Sequence, residues 1–126
     1  MHKSRLAVVV IDCQGQSLSE AGTFWSAALG RPLNPEASKI DPKYAVLDGP
    51  REEMKVLLQS VEHPSRVHLD IETDDIEAEA RRLEGLGAKR LGPVKSWVVM
   101  EAPSGQRFCV VKPQRPDFAE KANVWP

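Results

Sequence analysis

The sequence predicts an α+β fold, two βαβββ modules whose curved, mostly antiparallel sheet is covered by one helix per half. Two observations carry this reading. The order strand, helix, short strands occurs twice along the chain, and each helix opens on a polar residue and closes on a glycine. A length of 126 residues adds a third, since it suits one domain with a core that needs no disulfide or metal staple. Residues 1–126 are therefore read as a single domain. Its first module covers about 5–60, its second about 65–112, and 113–126 form a tail.

In the first half, Leu6 to Cys13 (LAVVVIDC) is rich in β-branched residues and stops at Gln14 and Gly15, which reads as a strand buried on both faces. Ser17 and Glu20 form a capping box. Leu18, Ala21, Trp25, Ala28 and Leu29 then mark a helical stripe that ends at Gly30, with Phe24 and Trp25 assigned to packing against the sheet. Pro32, Pro35 and Pro42 restrict any strand between them to a short or edge position. Tyr44 to Leu47 and Met54 to Gln59 are strands around the turn-like DGPREE.

The second half is the more regular. From Arg66 to Thr73, Val67, Leu69 and Ile71 point one way and His68, Asp70 and Glu72 the other, the period of two of a half-buried strand. Asp74 is read as the helix cap with Glu77 completing an acidic capping box, followed by Ile76, Ala80, Leu83 and Leu86 at helical spacing, and Gly87 as a left-handed stop. Strands follow near Ala88 to Leu91, at Trp97 to Glu101 and at Arg107 to Lys112. VLDGP at Val46 to Pro50 matches VMEAP at Val99 to Pro103, which supports duplication. Two such modules would leave a concave side open between them. In the tail, Phe118 and Trp125 favour an ordered course, because apolar rings on a loose end are a liability.

Composition narrows the function. A net charge of -1, a pI near 6.3 and scattered Lys and Arg argue against nucleic acid. Cys13 and Cys109 form no CxxC pair and suit a reducing compartment as small buried hydrophobes. The apolar run from Leu6 is broken by Asp12 and has neither the length nor the flanks of a leader or membrane helix, so a cytoplasmic, soluble protein is expected. No phosphate-binding glycine motif is present. EAEARRLE reads as an exposed helix face with Glu77 paired to Arg81, and His2 and His63 are assigned no role.

The residues IDC and FWSAALG in the first half, then RVHLDIETDD, LGA and WVVMEAPSGQRFCVV in the second, resemble the vicinal oxygen chelate superfamily, specifically glyoxalase-like and bleomycin-resistance-like proteins. The resemblance covers Arg5 to about Lys112. It implies paired βαβββ modules with the sheet curved around a cavity, frequently in a homodimer. It also implies four metal-ligand positions, which fall on Val8, Gln59, His68 and Cys109. The placement of Gln59 depends on where the residues PREE are accommodated. Val8 has no lone pair, Gln59 is a weak donor and Cys109 a soft one, so a divalent metal would meet an incomplete ligand set and no cofactor is expected.

The leading expectation is a protein that binds a small apolar or aromatic molecule through Val8, Val10, Gln59, His68, Asp70, Trp97 and Cys109. One alternative is a lyase or isomerase in which His68 is the base or a ligand of a weakly held divalent metal. The other is an interaction or regulatory subunit with a vestigial cavity. For the individual side chains, His68 is read as a wall histidine or a proton carrier, and Asp70 and Glu72 as a solvated strand face or an acid-base partner. Cys109 is a buried thiol or a nucleophile, and Trp97 a flat ligand surface or core.

Overall fold

The computed structural model describes residues 1–15 and 17–126. Its elements are β1 (His2–Gln14), α1 (Leu18–Leu29), α2 (Ala37–Ile40), β2 (Tyr44–Leu47), β3 (Lys55–Val61), β4 (Arg66–Thr73), α3 (Ile76–Gly85), β5 (Lys89–Val94), β6 (Trp97–Glu101), β7 (Arg107–Val111), α4 (Phe118–Lys121) and β8 (Asn123–Trp125). The α+β class is as the sequence predicts. The chain gathers into two compact units, Val8–Val67 on one hand and Met1–Ala7 with His68–Pro126 on the other, so β1 contributes to both.

In the unit Val8–Val67, β1 pairs in parallel with β3, and β3 pairs antiparallel with β2. The remaining strand of this half is reduced to a bridge between Leu33 and Leu47, flanked by hydrogen bonds from Asn34 N to Val46 O (2.9 Å) and from Asp48 N to Pro32 O (2.8 Å). Pro32 and Pro35 have no N–H to give, so pairing cannot extend. Helix α1 starts at Ser17, whose hydroxyl accepts from Ser19 N, and stops at Gly30, which takes the left-handed φ of 66° that a side chain would resist. Cys13, Ala21, Ala45, Leu47 and Leu58 form its core, joined by Ile11, Leu18, Trp25 and Val56. Phe24 departs from the expected packing. It is 62% exposed and meets Trp25 edge-on at 5.0 Å, because it lies one position off the stripe that faces the sheet.

In the other unit, β4 pairs in parallel with β7, β7 antiparallel with β6, and β6 antiparallel with β5. The cap of α3 is Asp75, not Asp74: the Asp75 carboxylate accepts from Ala78 N at 3.0 Å, while Asp74 Oδ1 accepts from Lys3 N at 2.8 Å. Two adjacent aspartates share the work because β1 presents a donor to the first. Glu77 instead pairs with Arg81 and Arg90, and the Arg90 hydrogen bond holds its carboxyl down at about 2. Ala80, Leu83, Met100 and Val110 form the core with Ile71, Ile76, Ala88, Val98 and Phe108. Leu86 is exposed, since the helix has ended before it.

The tail is ordered. Phe118 is buried, β8 pairs antiparallel with residues 2–4 of β1, and Trp125 Nε1 donates to Ser4 Oγ at 2.7 Å. That pairing extends β1 back to His2, which is thus no loose terminal residue: it is buried, with Nε2 2.8 Å from Glu79 Oε1. Arg82 holds both oxygens of the fully buried Glu79 at 2.8 Å and stacks over the Trp125 ring at 3.9 Å. Burial works against the Glu79 carboxylate, but the hydrogen bonds from Arg82, His2 and Ser4 outweigh it and lower its pKa. A carboxyl whose folded pKa is lowered stabilises the fold above its unfolded value and loses that contribution as pH falls through the folded one. We expect Glu79→Ala to destabilise the protein by about 3 to 5 kcal/mol at pH 7, as breakage of a buried pair does. Urea unfolding at pH 7 and below pH 4 should show the difference from wild type shrinking in acid.

Candidate functional site

Because Ile71, Phe108, Val110, Val98 and Met100 pack under α3, the alternate residues of the same strands take the opposite face. These are His68, Asp70 and Glu72 on β4, Cys109 and Val111 on β7, and Trp97 and Val99 on β6. Strand register then sets Asp70 beside Cys109, Cys109 beside Val99 and Val99 beside Gly92, in one row across the sheet. His68 and Trp97 stand two residues along their strands from that row. The surface so formed has a polar end at His68 and Asp70 and an apolar floor at Val99.

The polar end is compact. His68 Nε2 lies 3.3 Å from Asp70 Oδ1, each side chain is only 13% exposed, and the donor atoms of His68, Asp70 and Cys109 all lie within 4.8 Å of one another. Asp70 Oδ1 is buried and accepts no hydrogen bond among the described residues. This face is therefore not the solvated strand face expected for Asp70 and Glu72. Glu72 is fully buried, its Oε2 accepting from Arg5 Nε at 2.5 Å and its Oε1 from Gln114 N at 2.6 Å and Arg115 N at 3.0 Å. Arg5 Nη2 continues to Asp117 Oδ1 at 2.6 Å. Burial opposes the Arg5 charge, yet the Asp117 and Glu72 hydrogen bonds raise its pKa, and Arg5 in turn lowers that of Asp117. The reason for the inversion is coverage: the tail closes over Glu72, whereas Val67 and Leu69 lie beyond the packing of α3 and stay exposed.

Val8, Val10 and Gln59 lie in the unit Val8–Val67, on the sheet face opposite Ile11 and Cys13. Val8 and Val10 are fully buried, and Gln59 Nε2 donates to Tyr44 Oη at 3.2 Å. Register pairs Val10 with Leu57 and Val46 with Leu57, while Gln59 pairs with Asp12 and Tyr44. Laying VLDGP on VMEAP makes Val46, Leu57 and Val10 the counterparts of Val99, Cys109 and Asp70. The first-half counterpart of Cys109 is then Leu57 rather than Gln59. Of the four metal positions implied by the resemblance, Val8 carries only carbon, and the register sets Leu57, also only carbon, in the place given to Gln59, so the residues present do not fit that four-ligand group. The polar cluster comes from β4 and β7 alone.

Sequence reasoning missed Arg5, which sits in a stretch read only as the lead-in to a strand. Nothing near it in sequence signals a partner at Glu72 or Asp117. His2 was likewise given no part, and its role depends on β8 pairing that no short-range pattern reveals. Among the described residues no helix is long and apolar enough to cross a membrane.

The strand scheme defines the class: an α+β protein of two like modules, each with parallel first and last strands. A profile described as Glyoxalase-like domain matches residues 8–111, and the chain belongs to that family. No curated protein matches it. Among solved structures it is similar to the NAD-dependent benzaldehyde dehydrogenase from Legionella pneumophila (TM-score 0.62, 11% identity, covering 85% of this chain and 98% of that one). It is also similar to methylmalonyl-CoA epimerase from Mycobacterium tuberculosis (0.56, 18%, 91% and 91%) and to the hypothetical protein BH1468 from Bacillus halodurans (0.57, 16%, 88% and 96%). At such identities the likeness is one of fold.

If Glu72 holds the tail down, Glu72→Ala leaves Arg5 Nε and two backbone N–H groups without their acceptor, while Asp117 still accepts from Arg5 Nη2. We expect a loss of about 3 kcal/mol or more, and amide exchange at Gln114 and Arg115 should accelerate well beyond that at Val110.

Proposed function

We propose that the protein binds a small apolar or aromatic molecule, without a catalytic metal, on the sheet face opposite α3. The observation that carries this reading is the compact group of His68, Asp70 and Cys109 at the edge of an apolar row, in which the buried Asp70 Oδ1 lies 3.3 Å from His68 Nε2 and accepts no hydrogen bond among the described residues. A buried acceptor left unmatched costs about 1 to 3 kcal/mol, and a ligand N–H or O–H would recover it. Val99 and Cys109 supply the floor, and Trp97 a flat wall for a ring. The working unit is a homodimer in the cytoplasm. A thermal-shift screen of aromatic compounds should yield hits whose stabilisation survives excess EDTA. Asp70→Asn should weaken them about tenfold, roughly 1.4 kcal/mol. Loss of every shift on adding EDTA would contradict the reading, and a screen with no hits would favour the vestigial-cavity subunit.

The contact between His68 and Asp70 favours a second reading, a lyase or isomerase in which His68 moves a proton, since a carboxylate at 3.3 Å supports the imidazolium that such a transfer creates. Under it, bound compounds with a C–H next to a carbonyl should exchange deuterium from solvent by NMR, and His68→Gln should abolish the exchange.

A further inference from the structure

We propose that Cys109 is a nucleophile served by His68 and positioned through Asp70, and that it takes flat α,β-unsaturated carbonyl compounds as covalent ligands. This rests on the binding face proposed above and adds the chemistry of its occupant. Three features point to it. The thiol, imidazole and carboxylate lie within 4.8 Å of one another, the grouping by which a base takes a thiol proton and a third residue steadies the base. The thiol is partly accessible, whereas the chain's other cysteine is buried. Beside Cys109 the row continues into Val99 and then Gly92, where a Cβ would meet nothing within 4 Å, so a flat ligand that reaches from the sulfur across Val99 has open space at its far end.

The step balances without an oxidant, reductant or leaving group. His68 takes the Cys109 S–H proton, and a sulfur lone pair forms an S–C bond at the β-carbon. The C=C π electrons move to the α-carbon and carbonyl as an enolate. The imidazolium returns its proton to the α-carbon, completing the addition.

Cys13 is an internal control. It packs in the core of the unit Val8–Val67, and burial, aided by the nearby Asp12 carboxylate, raises its thiol pKa. The probe is N-ethylmaleimide, a flat conjugated carbonyl, with labelling of the intact folded protein followed by peptide mass spectrometry. Cys109 should be labelled at least a hundredfold faster than Cys13. His68→Gln should slow Cys109 at least tenfold, and free imidazole should restore the rate in His68→Gly while leaving wild type unchanged, a rescue that a merely structural histidine would not show. Asp70→Asn should slow labelling less than His68→Gln does. Equal rates in wild type and His68→Gln, or no rescue in a His68→Gly variant with a wild-type melting temperature, would overturn the proposal. Either result leaves non-covalent binding on this face standing, because EDTA-resistant thermal shifts by non-electrophilic aromatics test that separately.

Discussion

The candidate site depends on one constraint, the parallel register of β4 against β7 that places Asp70 beside Cys109. A slip of one residue would turn His68, Asp70 and Glu72 toward α3 and bring Leu69 and Ile71 to the other face. Two sets of contacts hold the register from opposite sides. Beneath it, Ile71, Phe108 and Val110 pack with the α3 residues Ala80 and Leu83. Above it, Glu72 draws in Arg5 and the backbone of the tail, so that the last residue of the alternating set is buried as a satisfied carboxylate.

The tail is thus part of the same construction. It is fixed at one end by Glu72 and Arg5 and at the other by β8, where Trp125, Arg82, Glu79 and His2 share a network on the helix side of the sheet. Both networks bury charge, and each is tolerable only because every carboxylate oxygen in it has a donor. Asp70 stands between a packed core and a sealed carboxylate, its Oδ1 lying 3.3 Å from His68 Nε2 and accepting no hydrogen bond among the described residues.

Much of this was legible in the sequence, and what was not has a physical reason. Alternation gave β4 its limits and put His68 and Asp70 on one face, and the terminal glycines and polar caps placed α1 and α3. The choice between Asp74 and Asp75 as cap was beyond local pattern, because it turns on a backbone donor from Lys3. The burial of Glu72 was equally hidden, since period two says which side chains share a face and not what later covers it. Matching Leu57 rather than Gln59 to Cys109 as its counterpart required the hairpin register, which the extra residues of the DGPREE turn obscure. The duplication therefore carries shape without chemistry: Val8, Val10 and Leu57 stand where the second half has His68, Asp70 and Cys109.

The central claim is that small molecules are received on the face of β4, β6 and β7 that turns away from α3. Backbone amide chemical-shift mapping during titration with an aromatic compound that binds tests it most directly. The account predicts the largest changes at His68, Asp70, Val99 and Cys109, with Ala80 and Leu83 nearly still. Changes centred on α3, or spread with no maximum on those strands, would contradict it.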